Sequence, residues 1–234
     1  MNKAEALKAL ERAGSEQTRK TYARHGVKGP MFGVSYAELG KLAKQIKTDQ
    51  RLAEQLWTSK NHDARVLATM IADPASSRAP LLKDWLKDVD NNVLVDALSK
   101  VAGKSPDAGK LAAQWIKTKA EWPSAAGWAV LSVQLCEEQD LPEDELVERI
   151  AQIEREIHKA PNRTRHTMNM ALINIGTRGG KLQELAIAAA GRIGKVEIDH
   201  GETECKTPDA IEYIRKVMAY RENREQPGRK RAGC

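Results

Sequence analysis

The densest chemistry in the chain lies between residues 197 and 210, EIDHGETECKTPDA, where Asp199, His200, Cys205, Lys206 and Asp209 crowd one short stretch. A histidine and a cysteine five positions apart are both zinc ligands by type. A closed zinc site takes four ligands, however, and no second pair stands at a matching spacing, so the sequence assigns no metal. A thiolate at Cys205 would be favoured by the neighbouring Lys206 charge. The plainer reading is an ordered loop in which Thr207 caps a helix opened by Pro208. A second candidate is a single carboxylate. Asp96 borders the apolar stripe Val93, Ala97 and Val101, from where it can point into a groove or pair with a neighbouring helix. A third is a set of cations at turns and helix starts: Lys28, Lys41, Lys44, Arg65, Lys100, Lys104, Arg163, Arg165, Arg178 and Lys181. Backbone N–H groups and side-chain charge meet at such places and suit phosphates. Acidic residues number 32 against 38 basic ones, so ordinary solvated charge is the competing account.

Helices must position these groups. From Lys3 to about Tyr220 apolar residues recur at three- and four-residue spacing, with almost no alternating stretch that would read as a strand. Two short helices in 2–24 break at Gly14-Ser15. The segment HGVKGPMFGVS (25–35) is a loop, and Ser35 followed by Glu38 is a capping box opening a helix over 35–47. Further helices are expected over 50–59, 61–73, 78–87, 91–102, 106–119 (Ser105 as cap, Pro106 at its first position), 123–137, 142–159, 163–176 and 181–193. A last one runs from Thr207-Pro208 to about Tyr220. Residues 194–206 are the other substantial non-helical stretch.

The net charge is +6 over 234 residues, and aromatic residues make up 4%. The core must therefore be built from Leu, Ile, Val and Ala, which suits close helix packing. An extended anionic partner is the first candidate for a moderately basic chain of stacked helices. Three cysteines without paired spacing argue against a disulfide framework and for a reducing compartment. No stretch is apolar enough to span a membrane, and the amphipathic N-terminus lacks the core of a signal peptide. A cytoplasmic monomer is expected, with one domain over 1–222 and a basic tail over 223–234 carrying Arg224, Arg229, Lys230 and Arg231.

The helices repeat no strict motif. That resembles degenerate HEAT-type repeats of about 40 residues per helix pair, an all-α solenoid with a concave groove. Five segments in order resemble the DNA alkylation repair family, the AlkD-like HEAT-repeat DNA glycosylases: MFGVSYAELGKLAKQI (31–46), LW at 56–57 with DARVLATMI (63–71), DNNVLVDALS (90–99), WAVLSVQL (128–135) and RTRHTMNMALINIGTR (163–178). The resemblance implies binding of duplex DNA along a concave basic face and release of N3- and N7-alkylated purines without flipping the base into a pocket. It implies an Asp that stabilises the sugar cation, two Trp against the deoxyribose and backbone, and an assisting Arg.

Asp96 falls on the family's Asp. Asn92 stands where one Trp would be, Met170 near the other, and Ala126 or Gly127 near the Arg. The expected DNA-contacting residues are Asn92, Trp128, Met170, Lys28, Arg163 and Arg165, and no cofactor is expected. Trp122 and Trp128, or Trp85 and Trp115 on neighbouring helices, could supply a replacement sugar-contacting face, with core packing as the alternative. The kept acid and lost helpers leave two readings: a glycosylase using Asp96, or a DNA- or protein-binding scaffold that cleaves nothing. A buried Asp96 paired to Lys or Arg would speak for the scaffold, and an Asp96 open to a basic groove with Trp or Tyr within reach for the enzyme. A third reading places the chemistry at His200 and Cys205, unrelated to DNA.

Overall fold

The structure, a computed structural model, describes residues 1–225, and among them every regular element is helical. In the N-terminal half these are α1 (Lys3–Ala13), α2 (Glu16–Arg24), α3 (Tyr36–Ile46), α4 (Gln50–Trp57), α5 (His62–Ile71), α6 (Ala79–Lys87) and α7 (Asn92–Lys104). The remainder are α8 (Ala108–Ile116), α9 (Glu121–Cys136), α10 (Glu143–Glu156) with a 3-10 turn at Ile157–Lys159, α11 (Asn162–Gly176), α12 (Gly180–Ile193) and α13 (Ala210–Glu225). Arg229, Lys230 and Arg231 lie outside the described residues. Residues 223–225, expected in the tail, belong to α13.

Six of the first seven helices begin on a side chain that accepts the N–H three residues on: Asn2, Ser15, Ser35, Asp49, Asn61 and Asn91. Each such bond satisfies one of the four orphan donors at a helix start and contributes about 1 kcal/mol. At α3 the Ser35 half of the capping box forms, but Glu38 turns to Lys41 at 2.6 Å. Helices α8 to α12 start without a side-chain cap. Ser105 is not the expected cap of a helix at 106. Its hydroxyl donates back to the Ala102 carbonyl at 2.8 Å, which makes 105–107 a connector. Asp107 instead accepts the Ala79 N–H at 2.8 Å and holds α6 in place.

The odd-numbered helices from α3 to α13 pack each on the next and form one continuous row. α4, α6, α8, α10 and α12 back this row, each resting on a neighbouring odd helix. This is the repeating helix pair of a HEAT-like solenoid, in which each repeat buries its apolar stripe against its neighbours. Two apolar clusters fill it. One runs from Ala6 to Val130 and the other from Ile116 to Ile214. They meet on α9, which gives Ala125, Ala126 and Val130 to the first and Trp128, Leu131 and Leu135 to the second. A helix apolar on all sides is a buried helix, and α9 is the shared wall. It approaches α8 so closely that a Cβ on Gly127 would lie 2.5 Å from the Ile116 backbone nitrogen.

The 25–35 loop is held by a carboxylate. Fully buried Asp63 accepts the N–H groups of Phe32 (2.6 Å), Gly33 (3.1 Å) and Val34 (2.7 Å), and the Tyr22 hydroxyl donates to the Val34 carbonyl at 2.6 Å. Gly33 has a φ of +79°, and a Cβ there would meet the Ser15 carbonyl oxygen at 2.5 Å. The indoles of Trp57 and Trp85 stack at 4.4 Å in the core. Arg65 lies over Trp57 and pairs with Asp88 at 2.8 Å, so this cation is an interior strut and not part of a phosphate-binding face. Trp85 and Trp115 are likewise core residues.

Candidate nucleic-acid interface

The N-terminal ends of α3, α7, α9 and α11 bring Tyr36, Asn92, Asp96, Glu121, Trp122, Arg163 and His166 to one end of the inner row. On α7, Asn92, Asp96, Lys100 and Lys104 recur every four residues, and Asp96 and Lys100 are exposed. On α11, Arg163, His166, Met170 and Asn174 make the matching stripe, and all four are half-buried. Trp122 is half-buried at the start of α9 and packs against the first cluster.

Asp96 and Arg163, 67 positions apart, are joined there. Arg163 Nη2 donates to both carboxylate oxygens, at 2.6 and 2.7 Å. The Arg163 side chain is 14% exposed and that of Asp96 51%. The guanidinium is aimed by its backbone: the Arg163 N–H donates to Glu121 Oε1 at 2.7 Å, and the next residue's hydroxyl, Thr164 Oγ1, donates to the Glu121 carbonyl at 3.0 Å. Arg163 Nε and Asn92 Oδ1 are buried without a hydrogen-bond partner among the described residues. Tyr36, 46% exposed on α3, has its hydroxyl pKa pushed up to about 12 by desolvation and then by the Asp96 carboxylate. His166 is pushed down to about 4 by burial, then by the Arg163 charge and by His200, whose ring meets it edge-on at 6.1 Å. It is therefore a neutral imidazole at neutral pH.

Trp128, expected from the sequence to contact DNA, is a core residue. It is 1% exposed, packed in the second cluster, and offers no face to a ligand. Met170 lies on the α11 stripe, its side chain resting against the same cluster. Arg165 spends its guanidinium on carbonyls, donating to Glu197 at 2.6 Å and Ala160 at 3.1 Å, and so staples the 194–209 loop to α11. Of the ten cations singled out from the sequence, Lys41, Arg65, Lys104, Arg163 and Lys181 are ion-paired. Lys28, Lys44, Lys100 and Arg178 are exposed, with no side-chain partner among the described residues.

The 194–209 loop walls a cleft of about 930 Å³ lined by Asn162, Arg165, Asn169, His200, Lys206 and Asp209. Asn162 and Asp199 exchange two hydrogen bonds of 2.8 Å, and Asn169 Nδ2 donates to the Pro208 carbonyl at 3.0 Å. His200 Nε2 lies 3.0 Å from Thr207 Oγ1, so Thr207 serves the loop and does not cap α13. Asp209 does that, accepting the Glu212 N–H at 2.9 Å. Cys205 is exposed outside the cleft lining, and His200 faces Thr207 and His166. Among the described residues no three His, Cys, Asp or Glu side chains gather where they could hold a metal ion, and no helix is long and apolar enough to cross a membrane.

At the opposite ends of the inner helices a hollow of about 620 Å³ is lined by Met70, Lys100, Lys104, Ser132, Val133 and Cys136. Cys136 also borders a smaller one of about 220 Å³, formed with Asn174, Arg178, Tyr213, Val217 and Arg221.

A family model of DNA alkylation repair enzymes matches residues 6–214. The chain belongs to this family. Among its relatives is an uncharacterized protein of Listeria innocua, 30% identical over 217 residues that cover 90% of this chain and 93% of the relative. A second uncharacterized protein, from Listeria monocytogenes, is 29% identical over 218 residues with the same coverage. A solved structure aligns with a TM-score of 0.86 and 29% identity, over 94% of this chain and 95% of that one. It represents a new family of proteins related to the HEAT-like repeat DNA glycosylases with affinity for branched DNA structures. The all-α HEAT-like solenoid with its groove is thus the architecture of this DNA alkylation repair family member. Sequence reasoning missed three residues around Asp96: Tyr36, Glu121 and His166. Only His166 left a signal, standing one turn after Arg163 on the same stripe.

Proposed function

We propose that this family member binds DNA in its groove, with branched or sharply bent DNA as the preferred form, and does not excise bases. The observation that carries the reading is the Asp96–Arg163 pair. A carboxylate stabilises a developing sugar cation through its uncompensated negative field at short range. Here the guanidinium sits on both oxygens and cancels much of that field, and Arg163 is itself held by Glu121. A sugar cation would have to displace an arginine that is 14% exposed. Asn92 offers no indole face beside it. The affinity of the structural relative for branched DNA supports the binding half of the reading. Exposed Lys28, Lys44, Lys100 and Arg178 supply unpaired positive charge to a phosphate backbone.

A second reading has one observation in its favour. Half of the Asp96 side chain remains open, with Tyr36 beside it, and a base-excising site needs such an opening. The experiment measures two things on folded wild type and Asp96→Asn. One is release of methylated purines from alkylated duplex DNA. The other is affinity for a four-way junction and for a linear duplex of equal length. Junction preference in both proteins with no base release supports the scaffold. Base release by wild type that is lost in Asp96→Asn overturns it in favour of the glycosylase.

A further inference from the structure

Two stripes run along α11. Arg163, His166, Met170 and Asn174 belong to the groove, while Asn162, Arg165, Asn169 and Leu172, at three- and four-residue spacing, line the cleft of about 930 Å³. Its other walls are the end of α12, the 194–209 loop and the start of α13. The volume falls within the roughly 300–1,000 Å³ of small-molecule sites. Ile193, Val196, Ile198 and Ile211 give it aliphatic surface. Its charged residues balance, Arg165, Lys195 and Lys206 against Glu197, Asp199 and Asp209, so it suits a neutral group better than a phosphate. Arg165 and Asn169 stand one turn apart. Arg165 Nε is a buried donor without a partner among the described residues. Asn169 is 2% exposed and spends its amide nitrogen on the Pro208 carbonyl, which leaves the amide oxygen as an acceptor. A nucleobase is the complement of such a wall. It has a flat apolar body with donors and acceptors side by side on its Watson–Crick edge, and that edge is free wherever the base is unpaired.

The cleft meets the groove at the first turn of α11. Asn162 lines the cleft, and the next residue, Arg163, holds Asp96 in the groove. His200 lines the cleft, and its ring meets His166 of the groove stripe edge-on at 6.1 Å. One helix width, about 10 Å, lies between the two places.

We propose that the cleft between α11 and the 194–209 loop receives an unpaired nucleobase of DNA held in the groove, with Arg165 and Asn169 reading its edge. The inference rests on the DNA-binding reading and deepens it by naming what is recognised in branched DNA: a base freed from pairing where strands diverge. The sugar–phosphate chain stays on the groove side with the duplex. No bond is broken, and the base is bound and released unchanged.

The test is fluorescence anisotropy with three labelled duplexes of one sequence: fully paired, with a single central bulged nucleotide, and with an abasic residue in place of that nucleotide. The two bulges share their backbone length and differ in the base alone. Wild type is compared with Asn169→Leu and with Gly191→Leu. The second adds bulk to the cleft wall from a position where a Cβ meets nothing within 4 Å. Gly191 lies inside α12, where leucine is the better helix former, so this variant keeps its fold. The expected result is a wild-type affinity for the bulged nucleotide about tenfold or more above that for the abasic bulge, a ratio that falls to near one in both variants. With 2-aminopurine as the bulged base, emission rises on binding to wild type and not to Gly191→Leu, since the base leaves its stack for an aliphatic wall. Equal affinity of wild type for the two bulges overturns the base site while leaving DNA binding intact. A tenfold ratio that survives in Gly191→Leu overturns it as well. Failure of wild type to bind any of the three duplexes overturns the DNA-binding reading, and this inference with it.

Discussion

At the scale of single residues, the side chains that organise the molecule are those whose partners lie far away in sequence. Asp63 is the clearest case. Its carboxylate takes three backbone N–H groups of the 32–34 segment with no exposure to solvent. Replacing it by alanine leaves those donors buried and unpaired, each at a cost of about 1–3 kcal/mol. Asp63→Ala should lower unfolding free energy in urea by about 3 kcal/mol or more, and Asp63→Asn, which keeps one acceptor oxygen, by less. His166 gives a prediction in pH. Its folded pKa is about 4 and its ordinary value 6.5, so between those values the unfolded chain binds a proton that the folded chain refuses. Stability from this group is present above pH 6.5 and is lost as pH falls toward 4, at about 1.4 kcal/mol per unit. His166→Gln should flatten the stability–pH curve in that window by about 3 kcal/mol at most. Asp96 illustrates the limit of sequence reasoning at this scale. Its place beside an apolar stripe allows both a groove-facing carboxylate and a strut to a neighbouring helix. The choice depends on which turn of α11 lies opposite α7, and that is set by the superhelical stacking of repeats between them.

At the scale of elements most of the fold is legible, because amphipathic periodicity and cap chemistry are local. Asn91 ahead of α7 and Ser15 ahead of α2 mark helix starts where they stand in the chain. The failures have local causes too. Ser105 and Thr207 precede proline as caps do, yet Ser105 bonds back into α7 and Thr207 bonds to His200, so their hydroxyls are already committed. Trp128 shows why a site residue was misread. Tryptophan is equally suited to a core and to a sugar-contacting face, and only the burial of α9 on all sides decides between them. That burial also makes α9 intolerant of added volume. Gly127→Ala would put a methyl group 2.5 Å from the Ile116 nitrogen. It should destabilise the protein by about 1–3 kcal/mol in thermal or urea unfolding, whereas Gly40→Ala, on open surface, should be neutral or stabilising.

At the scale of the whole molecule, charge is less informative than its partners. A net +6 describes a chain in which half of the cations singled out at turns and helix starts are already ion-paired. The groove's phosphate contacts should therefore be few. Log affinity for duplex DNA should fall linearly with log salt, with a slope of about −0.9 for each phosphate neutralised. Removing Lys100 or Arg178 should each reduce that slope by about one, whereas removing Lys181 or Lys41, already paired, should leave it nearly unchanged.

The uneven distribution of helix caps gives the solenoid a mechanical polarity. Nearly every helix from α1 to α7 is pinned at its start by its own cap, while α8 to α12 start without one, and among these α11 has a substitute in the Glu121 carboxylate on the Arg163 N–H. A superhelix built this way is a spring clamped at one end. Amide exchange should therefore be slower at the starts of α1 to α5 than at those of α8, α9, α10 and α12, so that the C-terminal coils are the part expected to yield to the girth of a partner.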